Sequence, residues 1–426
     1  MRTALLAAAA AAALASAAQA DTVMVTADRM IDVESGRVVN RPWIVIRDGR
    51  IVTVGDERRA IPAMPLDRRV DLPGMTLLPG LIHMHVHLDG SPLYGGYTGL
   101  QFSDRFWSAI AVTHARRTLD AGFTTVRNVG SEHWNDVGLR QAIEEGHVVG
   151  PRVVSAGYSF GSTGGHCDST YFPPSMQQRA PYNIDSADDA RRSVREVRKY
   201  GAQVIKICAT GGVFSRNTEP GAQQLSLDEM KAVVAEAHMQ GLKVAAHAHG
   251  ATGIKDAIRA GVDTIEHASL IDDEGIQLAK RHGAWLAMDI YNTDYTQAEG
   301  KKNGVLEDNL RKDRDIAETQ RQGFAKAHRA GVKHVFATDA AVYPHGDNAK
   351  QFAVMVRYGM TPLQAIQTAT VNAAEALGSH GRDVGVIEAG RWGDLIAVRG
   401  DPLADVRALE TTPVVIKSGV VVKDAR

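Results

Sequence analysis

From Pro79 to about Gly359 short apolar runs alternate with longer stretches in which apolar residues recur every three or four positions. The runs at 78–83, 124–129, 152–156, 203–208, 243–247, 263–267, 284–290 and 334–338 are β-branched or alternating and predict strands. The stretches between them predict amphipathic helices, and their ends carry start and stop signals. Ser226-Leu227-Asp228-Glu229 and Thr361-Pro362-Leu363-Gln364 have the spacing of a capping box, the second with Pro at the first helical position. Gly201, Gly241, Gly261, Gly283 and Gly331 each follow a helical stretch and precede a strand, where a left-handed cap is wanted. Eight strands alternating with helices predict an α/β chain built on a (β/α)8 TIM barrel; a doubly wound open sheet is the competing arrangement.

The flanks have a different pattern. Val23–Val54 reads as hairpins around Asp48-Gly49, and short strands recur from Val384 through Asp394–Val398, a Gly400-Asp401-Pro402 turn and Val414–Val422. Two β-rich ends predict one small β-sandwich formed from both termini, residues 21–78 plus 384–426, around a barrel at 79–383. Residues 1–20 stand apart: Arg2, an apolar run from Ala4 to Leu14 and Ala18-Gln19-Ala20 predict a secretory signal peptide cleaved after Ala20, hence a secreted or periplasmic protein. The run is shorter than a bilayer span requires, and no other stretch is long and apolar enough for one.

Charge and composition narrow the partners. With 48 Lys+Arg against 49 Asp+Glu and 44% hydrophobic residues, the chain has neither the basic excess of a nucleic-acid binder nor the polarity of a disordered protein. Two cysteines, Cys167 and Cys208, cannot make a disulfide framework; in an oxidising compartment they form one bridge or remain two buried thiols.

The candidate chemistry sits at strand ends. His83-Met84-His85-Val86-His87 places three imidazoles two residues apart, and the period of a strand puts all three on one face, where His83 with His85 or His85 with His87 could hold a metal. Lys206 lies inside the apolar strand Val204-Ile205-Lys206-Ile207-Cys208, facing away from the two isoleucines. A buried lysine is costly unless it is paired with a barrel acid or altered, for example by reaction of its neutral amine with CO₂ to an anionic carbamate that bridges two cations. His247 and His249 share a strand face, and His267 and Asp339 end two further strands. Residues at the carboxy-terminal ends of barrel strands converge on one site.

These residues make the chain resemble the amidohydrolase superfamily over nearly all of its length after the leader. Leu78-Pro79-Gly80-Leu81-Ile82-His83-Met84-His85-Val86-His87 is similar to that family's PG[LF]IDxHxH strand, and Thr361–Ala365 and Gly385–Arg391 are similar to its carboxy-terminal signature. The resemblance implies that His85 and His87 are a metal pair, with His83 departing from the usual Asp. It also implies that Lys206, His247, His267 and Asp339 are the bridging carboxylated lysine, two further histidines and the final aspartate. Two divalent ions, Zn²⁺ in the first instance, would then share a water of lowered pKa, with Asp339 carrying its proton to the leaving amine.

Gly164-Gly165-His166, the segment Lys206–Val213 and His247-Ala248-His249-Gly250 look most like the subgroup of Xaa-Pro dipeptidases, metallocarboxypeptidases and ochratoxinases. That likeness implies release of a carboxy-terminal amino acid from dipeptides or N-acyl amino acids. Donors for the free carboxylate are sought near the barrel mouth in His166, His249, Arg216 and Tyr291. A lactone or cyclic-amide hydrolase, and an inactive binding or assembly protein on the same barrel, are the other readings. The subgroup implies a homo-oligomer.

Overall fold

The computed structural model describes residues 21–61 and 63–426; the expected signal peptide lies outside the described residues. The interior strands are Leu81–Val86, Phe123–Asn128, Arg152–Ser155, Val204–Cys208, Lys243–Ala248, Thr264–His267 and Trp285–Ala287. They pair in parallel, in chain order, as a three-stranded and a four-stranded sheet. Gln203 N–H donates to Ser155 O at 2.7 Å and Phe160 bridges Ile207, which joins the two sheets on one side. On the other side the segment 334–340 runs between the last strand and the first. Val335 N–H reaches Leu286 O (3.0 Å), Met84 N–H reaches Phe336 O (2.8 Å) and Asp339 N–H reaches His85 O (3.1 Å). The ring is therefore closed as a (β/α)8 barrel. Its eighth segment has no continuous ladder because Phe336 N–H turns to Thr368 O (2.9 Å) and Asp339 adopts a left-handed φ of 55°.

Alternation fills the two sides of the ring. Ile82, Met84, Val154, Val204, Trp285 and Val335 form one buried cluster inside it, while their strand neighbours Leu81, Val126, Ile205 and Phe336 pack outward against the helices. Both predicted capping boxes are formed, Ser226 with Glu229 and Thr361 with Gln364. Gly261 and Gly283 cap their helices at φ 94° and 70°, where a Cβ would be strained.

The first barrel strand starts later than its pattern predicts. Leu78 and Pro79 end the long strand Arg68–Pro79 of the flanking sheet, and Gly80 separates the two strands. A Cβ at Gly80 would stand 2.2 Å from Thr124 Oγ1, so only glycine permits this approach. Arg68–Pro79 is central to one eight-stranded sheet from both termini, parallel to Thr22–Ile31 and antiparallel to Leu395–Arg399. Arg50 of one edge strand bridges Trp392, and the sheet curves around Val25, Ile44, Leu72, Leu395 and Val414, so the expected sandwich is a single sheet drawn from both termini. Among the described residues no helix is long and apolar enough to cross a membrane.

Candidate metal centre at the mouth of the barrel

Strand period places His85 where it is only after a break in it. The register between Leu81–Val86 and Phe123–Asn128 shifts between His83 and Val86. His83 consequently turns outward, its ring edge-on to Phe123 and Phe336 at 5.2 and 5.3 Å and its Nε2 2.6 Å from Thr338 Oγ1. The expectation that all three imidazoles share a face is thereby corrected, and of the two candidate pairs His85 with His87 reaches the cavity. Their Nε2 atoms lie 3.3 and 3.4 Å from Asp339 Oδ1. Each Nδ1 is engaged on the far side, that of His85 by Glu266 Oε2 (2.8 Å) and that of His87 by Gly130 O (2.9 Å). Nδ1 is thus taken on both rings, which leaves Nε2 of each turned to the cavity. Burial alone would raise the Asp339 carboxyl, but the facing imidazoles hold it well below the usual carboxylate range.

Opposite them four imidazoles pack on one another. His166 stacks on His247 with ring centres 4.1 Å apart, and His249 stacks on His267 at 4.7 Å. His247 Nε2 meets Gly211 O (3.1 Å), while Nδ1 of His166 and of His249 meet the hydroxyls of Ser215 (2.9 Å) and Ser269 (2.7 Å). Burial, reinforced by neighbouring imidazoles, pushes His247 and His249 well below the usual imidazole range and His166 down to about 3. His267 differs. Burial opposes its protonation too, yet Asp289 and Asp339 outweigh it and raise its pKa. Its Nδ1 is 3.0 Å from Asp289 Oδ1 without hydrogen-bonding geometry, leaving a buried nitrogen with charge beside it but no directed partner. His267 and Asp339 both take left-handed backbone, φ 69° and 55°, at the ends of their strands. Strain of this kind in non-glycine residues concentrates at functional sites.

Lys206 lines the same cavity and is buried. Among the described residues it forms no ion pair, the barrel acid Glu266 being taken by His85 and Arg127. Burial pushes its ammonium down to about 8. Ligand atoms in the sets His85, His87, Asp339 and His247, His249, His267 lie within 4.8 Å of one another, as do those of His267, Asp289 and Asp339. Imidazoles and a carboxylate are the donors a zinc-type ion takes, so the residues present fit such a group.

The cavity holds about 460 Å³ and includes all six expected ligands together with His166 and His249. Arg216 and Tyr291 stand outside its wall. Arg216 is carried on an exposed loop and donates to Tyr97 Oη (2.6 Å); Tyr291 turns edge-on to Tyr343 at 5.2 Å. Cys167, beside His166, is bonded to Cys208, two residues beyond Lys206, with Cα atoms 5.9 Å apart.

Three buried charges escape a search confined to strand ends. Arg127 Nη2 meets Glu266 Oε1 at 2.7 Å inside the barrel, and Arg127 holds Glu266 well below the carboxylate range against the effect of burial. Asp289 accepts from Gln320 (2.8 Å). All three stand within predicted strands, but the runs Thr124-Thr125-Val126-Arg127-Asn128 and Asp263-Thr264-Ile265-Glu266-His267 are too polar for one charge to stand out, whereas Asp289 in the apolar run 284–290 carries the same signal as Lys206.

Known proteins identify the family. The model of the amidohydrolase family matches residues 76–422. The chain is 32% identical over 421 residues to ochratoxinase of Aspergillus niger, covering 93% of this chain and 85% of that protein. A crystal structure of a Xaa-Pro dipeptidase with methionine bound in its active site superposes with TM-score 0.88 at 35% identity, covering 95% of this chain and 100% of that one. That of A. niger ochratoxinase superposes with TM-score 0.85 at 30% identity, covering 95% and 96%. The chain belongs to the amidohydrolase family and is a hydrolase.

Proposed function

We propose that the protein is a binuclear metal-dependent amide and peptide hydrolase that releases a carboxy-terminal amino acid from dipeptides or N-acyl amino acids, ochratoxin-type amides among them. The observation that carries this is the convergence of two imidazole sets and one ionised carboxylate on a cavity that also contains a buried, unpaired lysine. His85, His87 and Asp339 would hold one ion and His247 and His267 the other, with Lys206 contributing to both. The ions, Zn²⁺ by donor chemistry, would supply Lewis acidity and a water of lowered pKa.

The remaining work falls to the chain. The neutral amine of Lys206, accessible because burial lowers its pKa to about 8, adds to CO₂ with loss of one proton, forming an N–C bond and an anionic carbamate. Asp339, ionised and within reach of both His85 and His87, accepts a proton from the attacking water and returns it to the leaving amine. His166 and His249, each anchored at Nδ1 by a serine hydroxyl and kept neutral, line the cavity as donors toward the substrate carboxylate. The ochratoxinase and Xaa-Pro dipeptidase relatives support the amide class. The test is amino-acid release by the Zn²⁺-loaded protein from N-acyl and dipeptide substrates, each paired with its carboxy-amidated twin. Release from the free acids alone is expected; equal cleavage of both twins would make the enzyme a general amidase.

A further inference from the structure

Arg127 and Glu266 are buried charges inside the barrel, whose interior cluster includes the apolar side chains Ile82, Met84, Val204 and Trp285. A pair of this kind is costly to bury, and apolar residues of similar volume commonly replace it without loss of stability. Its hydrogen bonds run in one direction. Glu266 takes Arg127 Nη2 on Oε1 and gives its other oxygen, Oε2, to His85 Nδ1 at 2.8 Å. Arg127 Nε donates at 2.7 Å to the carbonyl of Met84, the residue before His85. That carbonyl lies where the register shifts, in the break that turns His85 inward. Arg127 Nη1 donates to Thr264 Oγ1 (2.9 Å), on the strand of Glu266. The pair thus grips His85 by its ring and by its backbone, whereas the neighbouring ligand His87 is anchored only by a neutral carbonyl.

We propose that Glu266 and Arg127 are positioning residues that set the metal affinity of the His85, His87 and Asp339 set. The inference rests on the two-metal reading above. Glu266 holds His85 by Nδ1 and so turns its Nε2 to the cavity; Arg127 holds Glu266 by Nη2 and the Met84 carbonyl by Nε, closing the broken strand behind the ligand. Loss of such a partner typically lowers metal affinity about 10–100-fold.

The experiment is Zn²⁺ binding to the full protein by competition with a chromophoric chelator, with Co²⁺ absorption reporting the ligand field. Glu266→Gln should weaken one of the two sites about 10–100-fold and leave the other near wild type. Because Glu266→Gln leaves Arg127 unpaired and could fail to fold, the double variant Arg127→Met with Glu266→Gln, which buries no lone charge, is measured beside it. It should fold with a Tm near wild type and keep the affinity loss. Wild-type affinity and an unchanged Co²⁺ spectrum in the double variant would overturn the inference, leaving the pair a role in the fold only. A wild-type protein that binds no metal would instead overturn the two-metal reading, and this inference with it.

Discussion

The two halves of the candidate centre are built by different means. His85 and His87 are each held from behind by an acceptor at Nδ1 and face one carboxylate, so their Nε2 atoms are aimed before any ion arrives. In the facing half the rings stack, His166 on His247 and His249 on His267, and three of them have hydrogen-bond partners, but the fourth, His267, has a nitrogen with no directed partner. A half whose candidate ligands are all anchored is preorganised; a half with an orphan ligand atom is completed by what it binds. Preorganisation is where affinity originates, and an ion in the first half should therefore outlast one in the second.

The largest effect to expect is at the residue the preorganised half converges on. Asp339→Asn should lower kcat by about 10²–10⁴-fold with KM little changed; full turnover in a variant that retains its metal would remove Asp339 as proton carrier. Next comes the order of metal loss. In a timed chelator challenge followed by metal analysis, the ion dependent on His247 and His267 should leave before the one dependent on His85 and His87, and His267→Asn should abolish the fast phase. Loss of both ions at one rate would dissolve the distinction between the halves.

A smaller change should follow from opening the disulfide that ties His166 to the Lys206 strand. Cys167→Ser should raise KM several-fold with kcat and metal content near wild type; a fall in metal content would mean that the bridge supports the ligands themselves. The smallest effect belongs to Lys417 in the flanking sheet, outside both halves. Burial pushes its amine down to about 8, below the unfolded value of about 10.4, so between those values the unfolded chain binds the proton more tightly. Stability should therefore rise as pH climbs from about 8 to 10, and Lys417→Met should flatten that slope in Tm against pH without affecting turnover.

Much of the fold is legible in the pattern because barrel strands alternate so regularly: Ile205 and Ile207 outward, Lys206 inward. The candidate ligand positions are legible for the same reason, each being a polar residue within or at the end of a strand run. What the pattern hides is where the period breaks. Nothing in His83-Met84-His85 announces the register shift that sends His83 outward, and the left-handed turns at His267 and Asp339 have no glycine to mark them. Partners that act across the barrel, such as Glu266 on His85, join residues 181 positions apart and leave no local trace. Arg216 and Tyr291 fail as cavity residues because a loop's course depends on what it packs against, here Tyr97 and Tyr343.

The curved flanking sheet also bears on how such a chain is made. Strand Arg68–Pro79 finds one neighbour in Thr22–Ile31 early, but its other edge pairs with Leu395–Arg399, more than 300 residues later. Until that last segment emerges from the ribosome, the edge presents unpaired N–H and C=O groups. Exposed edges of this kind recruit foreign strands, and pairings so distant in sequence form slowly. A nascent chain with this architecture spends its synthesis with an open seam, and a chaperone that covers residues 68–79 would protect it longer than one acting on any single barrel strand.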